Sequence, residues 1–325
     1  MLGKITLGTM ILLGLEIRKT DTYKRYKNRL DRFIVKNQIK KITEEIFFNK
    51  GIYLKSGDNI KMPGMEIEFI EYGFKIKLDI SLICSYKEIK DIEEYIKSTF
   101  KAYEIRSELK DGYIYLFIYI EKIKFKDYKK IYLNQYQALI GMNYEGNIIV
   151  DMRITPHLLV IGLPGSGKSR LLKTLVMNLD ADVILMNVYK EDFKGCNKRV
   201  VNGNENIIKC LNDVLKSSFK RQKVLYLIID ELVVLAKDKD IEKLIREILV
   251  IGRHLGKGVF IIGASQDSTK EVIKYKNYFS ARVCMRMIEN AAYQAALGCT
   301  IEESLKKREF YLYSDDLYKG ITFNI

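Results

Sequence analysis

The chain has 325 residues, a formal net charge of +14, 48% hydrophobic residues and 30% charged ones. That apolar content excludes a disordered chain, and the length is that of one full α/β domain plus a smaller one, since domains run to about 100–200 residues. The cysteines (Cys84, Cys196, Cys210, Cys284, Cys299) form no C-x-x-C pair and His157 and His254 are the only histidines, which excludes a disulfide framework or a Cys/His zinc site and points to reduced thiols in the cytoplasm.

In chain order, Ile5–Leu15 is apolar but 11 residues long, against the roughly 20 that a membrane-spanning helix needs. Glu16, Ile17 and Arg18 follow with no small-residue cleavage site, which argues against a secretory signal. Between Arg18 and Lys41 ten basic residues stand against Asp21 and Asp31, a net of +8. Such a segment suits a polyanion or the anionic inner face of a membrane, so the expected location is cytoplasmic, peripheral to that face. Leu30, Phe33, Ile34, Ile39, Ile42 and Ile46 recur at helical spacing, and residues 1–48 read as a basic, amphipathic segment.

Residues 49–132 read as a small α+β domain. Ile67 and Phe69, then Phe74, Ile76, Leu78 and Ile80, and later Tyr113, Tyr115, Phe117 and Tyr119 recur at strand period, while Ile89, Ile92, Tyr95 and Ile96 recur at helical spacing. The order is strand, strand, helix, strand, strand. Rings at that period read as core and are assigned no chemistry.

The boundary to the second domain, 133–325, falls near Leu133. From there short β-branched strands alternate with helical stretches, the pattern of a parallel sheet with helices on both faces. Within it Gly162-Leu163-Pro164-Gly165-Ser166-Gly167-Lys168-Ser169 satisfies G-x-x-x-x-G-K-[ST], the Walker A pattern. A strand, His157–Ile161, precedes it, and a helix from Arg170 to Leu179 follows. Strand, glycine loop and helix surround a phosphate with backbone N–H groups, so ATP is the expected ligand of Gly162 to Arg170. Lys168 pairs with the β- and γ-phosphates, and the Ser169 hydroxyl ligates Mg²⁺.

A second buried strand, Val224–Ile229, ends in Asp230 and Glu231. Asp230 is placed to hold the Mg²⁺, and Glu231 to act as the base on the attacking water. A third, Val259–Ala264, ends in Ser265-Gln266, and Gln266 is placed to sense the γ-phosphate or orient that water.

Five ordered stretches resemble the FtsK/SpoIIIE family of DNA translocases. They are Ile140–Gly162 with its Pro156-His157-Leu158-Leu159-Val160, then Gly252-Arg253-His254-Leu255-Gly256, Gly263-Ala264-Ser265-Gln266, Phe279–Arg286, and Leu297-Gly298. The strand tip departs from the family, with Asp267-Ser268 after Gln266 where Arg-Pro is usual. The resemblance implies a RecA-like P-loop core that assembles as a homo-hexamer around double-stranded DNA, with an arginine from the neighbouring subunit completing each ATP site. Arg282 and Arg253 are the candidates for that arginine. No winged-helix domain follows the last core strand, so directional chromosome segregation is not expected. In this the chain resembles the small TcpA-like coupling proteins of Gram-positive conjugative elements, which implies an ATP-dependent DNA translocase working with conjugation or membrane-channel proteins. A regulatory or assembly NTPase governed by a protein or membrane partner is the alternative.

Overall fold

Two compact units, 1–123 and 124–325, make up the chain, and a computed structural model describes residues 29–217, 222–266, 275–301 and 304–325. The apolar run Ile5–Leu15 and most of the basic run after it lie outside the described residues, as do Asp267 and Ser268. Among the described residues no helix is long and apolar enough to cross a membrane.

The first unit opens with helix α1 (Arg29–Asn49). Ile39, Thr43, Ile46 and Phe47 form its buried stripe, whereas Phe33 and Ile34, expected in the same stripe, are exposed. Gly51, at φ 74°, ends the helix as Ile52 N–H donates to the Phe47 carbonyl at 2.8 Å, the left-handed stop that glycine accepts without strain. A short hairpin, β1 (Leu54–Ser56) and β2 (Asn59–Lys61), follows.

The unit's sheet comprises β3 (Gly64–Ile70), β4 (Gly73–Asp79), β5 (Glu104–Lys110) and β6 (Tyr113–Tyr119), in the order β3-β4-β6-β5, all antiparallel. Between β4 and β5 run α2 (Tyr86–Asp91), started by a Ser85–Glu88 capping box, and α3 (Glu93–Phe100). The expected strand–strand–helix–strand–strand order holds, with its helical part as two short helices. Phe74 and Tyr119 are buried as expected, but the other aromatic residues of β6 correct the expectation. Ile114, Leu116 and Ile118 face inward and are fully buried, while Tyr113, Tyr115 and Phe117 occupy the opposite face, where Lys77 lies 4.0 Å over the Tyr113 ring and Lys75 5.7 Å over Tyr115. Aliphatic side chains take the dry face against α2 and α3, and tyrosines keep their hydroxyls wet.

The second unit begins at Lys124, upstream of the expected boundary near Leu133, because the intervening residues bond to it. Tyr128 Oη and Ile131 N–H both donate to Asn178 Oδ1, at 3.2 and 3.0 Å, and Gln135 accepts from Val224 N–H. Its elements are β7 (Gln137–Asn143), β8 (Gly146–Asp151), β9 (Leu158–Ile161), α4 (Lys168–Asn178), β10 (Asp182–Met186), β11 (Arg199–Val201), α5 (Asn204–Ser217), β12 (Leu225–Ile229), a single turn α6 (Leu232–Leu235), α7 (Lys239–Ile251), β13 (Val259–Ser265), β14 (Ala281–Met285), α8 (Asn290–Leu297), β15 (Glu309–Tyr313) and β16 (Leu317–Ile321).

These strands form one ten-stranded sheet in the order β11-β10-β12-β13-β9-β14-β15-β16-β7-β8. The first six are parallel, as expected. The last four are antiparallel to their neighbours, because the turns after β7 and β15 are too short for a parallel crossover. Alternate residues of the central strands feed two cores. Leu159 and Ile161 pack with α5, α7 and α8, while Leu158 and Val160 pack with α4, so helices cover both faces.

His157 shows what the element before β9 is for. It is buried, at φ 64°, and its Nδ1 accepts the Ile261 N–H at 2.9 Å, between the rings of Phe260 and Phe279. Burial, aided by nearby Arg253, pulls its pKa down to about 4. The unfolded chain, near 6.5, binds the proton more readily, so this stabilisation is whole above about pH 6.5 and is lost as pH falls toward 4, a swing of up to about 3 kcal/mol. His157→Asn keeps an acceptor and tolerates the left-handed backbone. Thermal melts between pH 4 and 7 are expected to show a flatter pH dependence in this variant, offset by a modest packing loss at pH 7. Parallel curves for the two proteins would contradict the assignment.

Candidate functional site

The strands β9, β12, β13 and β14 end together at one edge of the sheet, and Gly162 to Ser169, Asp230, Glu231 and Gln266, picked from sequence, follow those strand ends. Gly162 leaves β9 with its N–H on the Ser265 carbonyl at 3.2 Å. A Cβ at Gly162 would lie 2.8 Å from the Met285 Cβ and 2.9 Å from the Ser166 Oγ, so no other residue fits. Gly165 and Gly167 turn the loop with φ of 73° and 117°, values open to glycine at no steric cost. Gly167 caps α4 without any side-chain hydrogen bond to the first turn. The helix thus presents uncapped N–H groups and its positive end to the hollow of the loop. These features fit a phosphate chain.

Lys168, the first residue of α4, is buried, and its Nζ donates to the carbonyls of Gly162 at 2.7 Å and Leu163 at 3.3 Å. Burial lowers its pKa, and the charges of Glu231 and then Asp230 act against that fall. Asp230 is pushed up, first by burial and then by Glu231 beside it. A half-buried carboxylate held under that penalty suits a divalent cation, with Ser169 as the hydroxyl ligand on α4. Glu231 sits at φ 52°, ψ 51°, in the left-handed region. Its N–H donates to Asp230 Oδ1 at 3.1 Å, and Asn187 Nδ2 holds the Asp230 carbonyl at 3.0 Å. The turn is therefore fixed from both sides.

Because β13 lies between β9 and β12, Gln266, exposed at its tip, stands between the P-loop and the Asp230–Glu231 turn. The two candidate arginines are elsewhere. Arg282 is level with Leu159 on β9 and Tyr313 on β15, with its guanidinium 4.7 Å over the Tyr313 ring and its Nε buried without a partner. Arg253 lies at the opposite end of the strands, in the turn that precedes β13, with Nε 3.0 Å from His254 Nε2. A residue acting on a neighbouring subunit's site need not lie at its own P-loop. Three contributors escaped the sequence reading. They are Asn187, Arg286, whose carbonyl accepts the Leu163 N–H at 3.2 Å and whose side chain is exposed, and Arg308, whose N–H donates to the Ser166 carbonyl at 2.8 Å. The contacts of Arg286 and Arg308 are made by backbone and leave no motif, and Asn187 makes its side-chain contact from a lone position 43 residues before Asp230.

The FtsK/SpoIIIE family profile matches residues 128–183, which run from the start of the second unit through the P-loop and α4. The profile of the viral superfamily 1 RNA helicase core domain matches 158–241, the stretch holding the P-loop and the Asp230–Glu231 turn. Among curated protein sequences none matches significantly. Among solved structures, the pCW3 conjugation coupling protein TcpA, in its monomer form with ATPγS, is similar at a TM-score of 0.55 and 18% identity, over 87% of this chain and 92% of that one. Looser likenesses are the cytoplasmic domain of the type VII secretion ATPase EccC of Thermomonospora curvata (TM-score 0.47, 20% identity, 59% of this chain and 29% of that one) and the genome packaging NTPase B204 of Sulfolobus turreted icosahedral virus 2 (0.39, 16%, 53% and 98%).

Proposed function

We propose that this FtsK/SpoIIIE-like P-loop ATPase is a DNA-translocating motor, a coupling ATPase of a conjugative or other mobile element that moves double-stranded DNA by hydrolysing ATP. One observation carries the reading: an uncapped P-loop helix, Lys168 and the Asp230–Glu231 turn meet at one sheet edge, with Gln266 between them. The α4 amides and Lys168 would hold the β- and γ-phosphates, and Ser169 and Asp230 the Mg²⁺, which supplies charge neutralisation to the phosphoryl oxygens. Glu231 orients a water and takes its proton, and Gln266 reports the γ-phosphate. In a homo-hexamer, Arg282 or Arg253 of the next subunit would complete the site.

The net charge of +14 supports a polyanionic track, and the basic segment 1–48 supports a cytoplasmic location against the inner face of the membrane, beside channel proteins. The test is steady-state ATPase activity with and without linear double-stranded DNA at two salt concentrations. DNA is expected to raise turnover about tenfold or more, and the effect to fade as salt rises, because each phosphate contact releases counterions. Turnover unmoved by any DNA, with ATP still bound, would overturn the motor reading in favour of a partner-controlled switch.

A further inference from the structure

Arg308 stands just before β15 in left-handed backbone, φ 73°. A residue other than glycine holds that conformation only where its surroundings over-determine it, often near a functional site. Its main chain braces the P-loop. The N–H bonds the Ser166 carbonyl, and the Arg308 Cα lies 3.5 Å from where a Cβ on Gly167 would sit. Its Cγ lies 3.4 Å from the same point, and beyond it the guanidinium runs the other way. Nε donates to Thr322 Oγ1 at 3.2 Å, and Nη2 to the Phe323 carbonyl at 2.8 Å and Asn324 Oδ1 at 2.9 Å. The guanidinium lies 3.9 Å over the Phe125 ring.

Asn324 continues the chain of bonds. Its N–H donates to the Lys126 carbonyl at 2.9 Å, its carbonyl accepts the Tyr128 N–H at 2.7 Å, and its Nδ2 donates to Asp127 Oδ1 at 3.1 Å. Residues 124–128 are where the chain enters the second unit. One arginine therefore ties the P-loop, by its backbone, to this entry strap, by its fork. Arg170 on α4 acts on Arg308 as a like charge, so a second cation stands beside the loop that already carries Lys168.

We propose that Arg308 is a positioning residue: it holds the P-loop in register with the entry strap at 124–128, so the state of that strap sets the affinity for ATP. The proposal rests on the reading that ATP binds at Gly162–Arg170. The experiment uses the full chain and measures binding of a fluorescent ATP analogue together with kcat and KM. Arg308→Gly keeps the left-handed backbone and removes the side chain, and Asn324→Ala removes the side-chain link between the fork and Asp127 without touching the P-loop, its main-chain bonds to Lys126 and Tyr128 remaining. Both are expected to raise KM and the analogue's Kd about tenfold with kcat changed much less, as misplacement of a binding element does. Arg308→Lys, which keeps a charge and a donor, is expected to recover part of the loss.

Unchanged KM in both variants, with any loss confined to Tm, would overturn the proposal and leave Arg308 a turn residue. Asn324→Ala combined with Phe125→Leu, which removes both side-chain contacts of the fork with the strap, decides the matter if Arg308→Gly does not fold. A parent protein that binds no analogue would instead sink the underlying ATP assignment, a different result from equal binding by parent and variants.

Discussion

Glu231→Gln is expected to lower ATP turnover about a hundredfold to ten-thousandfold, the range for loss of a positioned base, while ATP binding persists. The geometry makes this a clean substitution. Glu231 joins its turn through main-chain bonds, its N–H on Asp230 Oδ1 and its carbonyl accepting the Val234 N–H at 2.9 Å. Its left-handed backbone strains glutamine no more than glutamate. None of these bonds is lost, only the carboxylate proposed to take the water's proton. Single-turnover hydrolysis beside equilibrium ATP binding separates the two properties. Normal turnover would remove Glu231 from the chemistry, and loss of binding would make it a structural part of the pocket.

Asp230→Asn should move activity and stability in opposite directions. Burial, and then the charge of Glu231, raises the Asp230 pKa in the folded protein. For a carboxylate raised in the fold, the favourable contribution lies at low pH and is lost as pH rises through the folded value, so at pH 7 to 8 the folded state carries the full penalty of the anion. Asparagine removes that penalty and keeps the oxygen that accepts the Glu231 N–H. The apo protein's Tm is therefore expected to rise. Hydrolysis is expected to fall about a hundredfold or more, since the proposed Mg²⁺ ligand is gone. The extra stability that Mg²⁺ and ATP confer on the parent should shrink in the variant. A Tm that falls would mean that attraction between Asp230 and Lys168 outweighs the burial cost.

The site was legible where its parts are contiguous. Gly162 to Ser169 stand in one run, and Asp230 and Glu231 follow an unbroken apolar strand, so composition and spacing sufficed. What joins distant residues was not. The contact of Arg308 with Ser166 is made by a backbone N–H, which any residue but proline owns, so no side-chain pattern marks it. The four antiparallel strands were hidden because each, taken alone, has the same short apolar look as a parallel one. The outward tyrosines of β6 show the limit of a period-2 pattern. In YIYLFIY both alternate sets are hydrophobic, and the helices packed against the aliphatic set, not the period, decide which goes inside. His157 was visible only as part of a resemblance, and its reason is the buried amide of Ile261.

β9 lies fifth of six parallel strands, between β13 and β14, and is covered on both faces, with Leu158, Leu159 and Val160 at 0% exposure and Ile161 at 1%. Backbone amides in such a strand open only in global unfolding, so they should exchange with deuterium among the slowest in the molecule. The root of the phosphate loop is then its stiffest element. A protein built this way has little room to answer ATP by reshaping the floor of its own pocket, and in the proposed motor the work of each cycle is expected as displacement of whole bodies about that fixed floor.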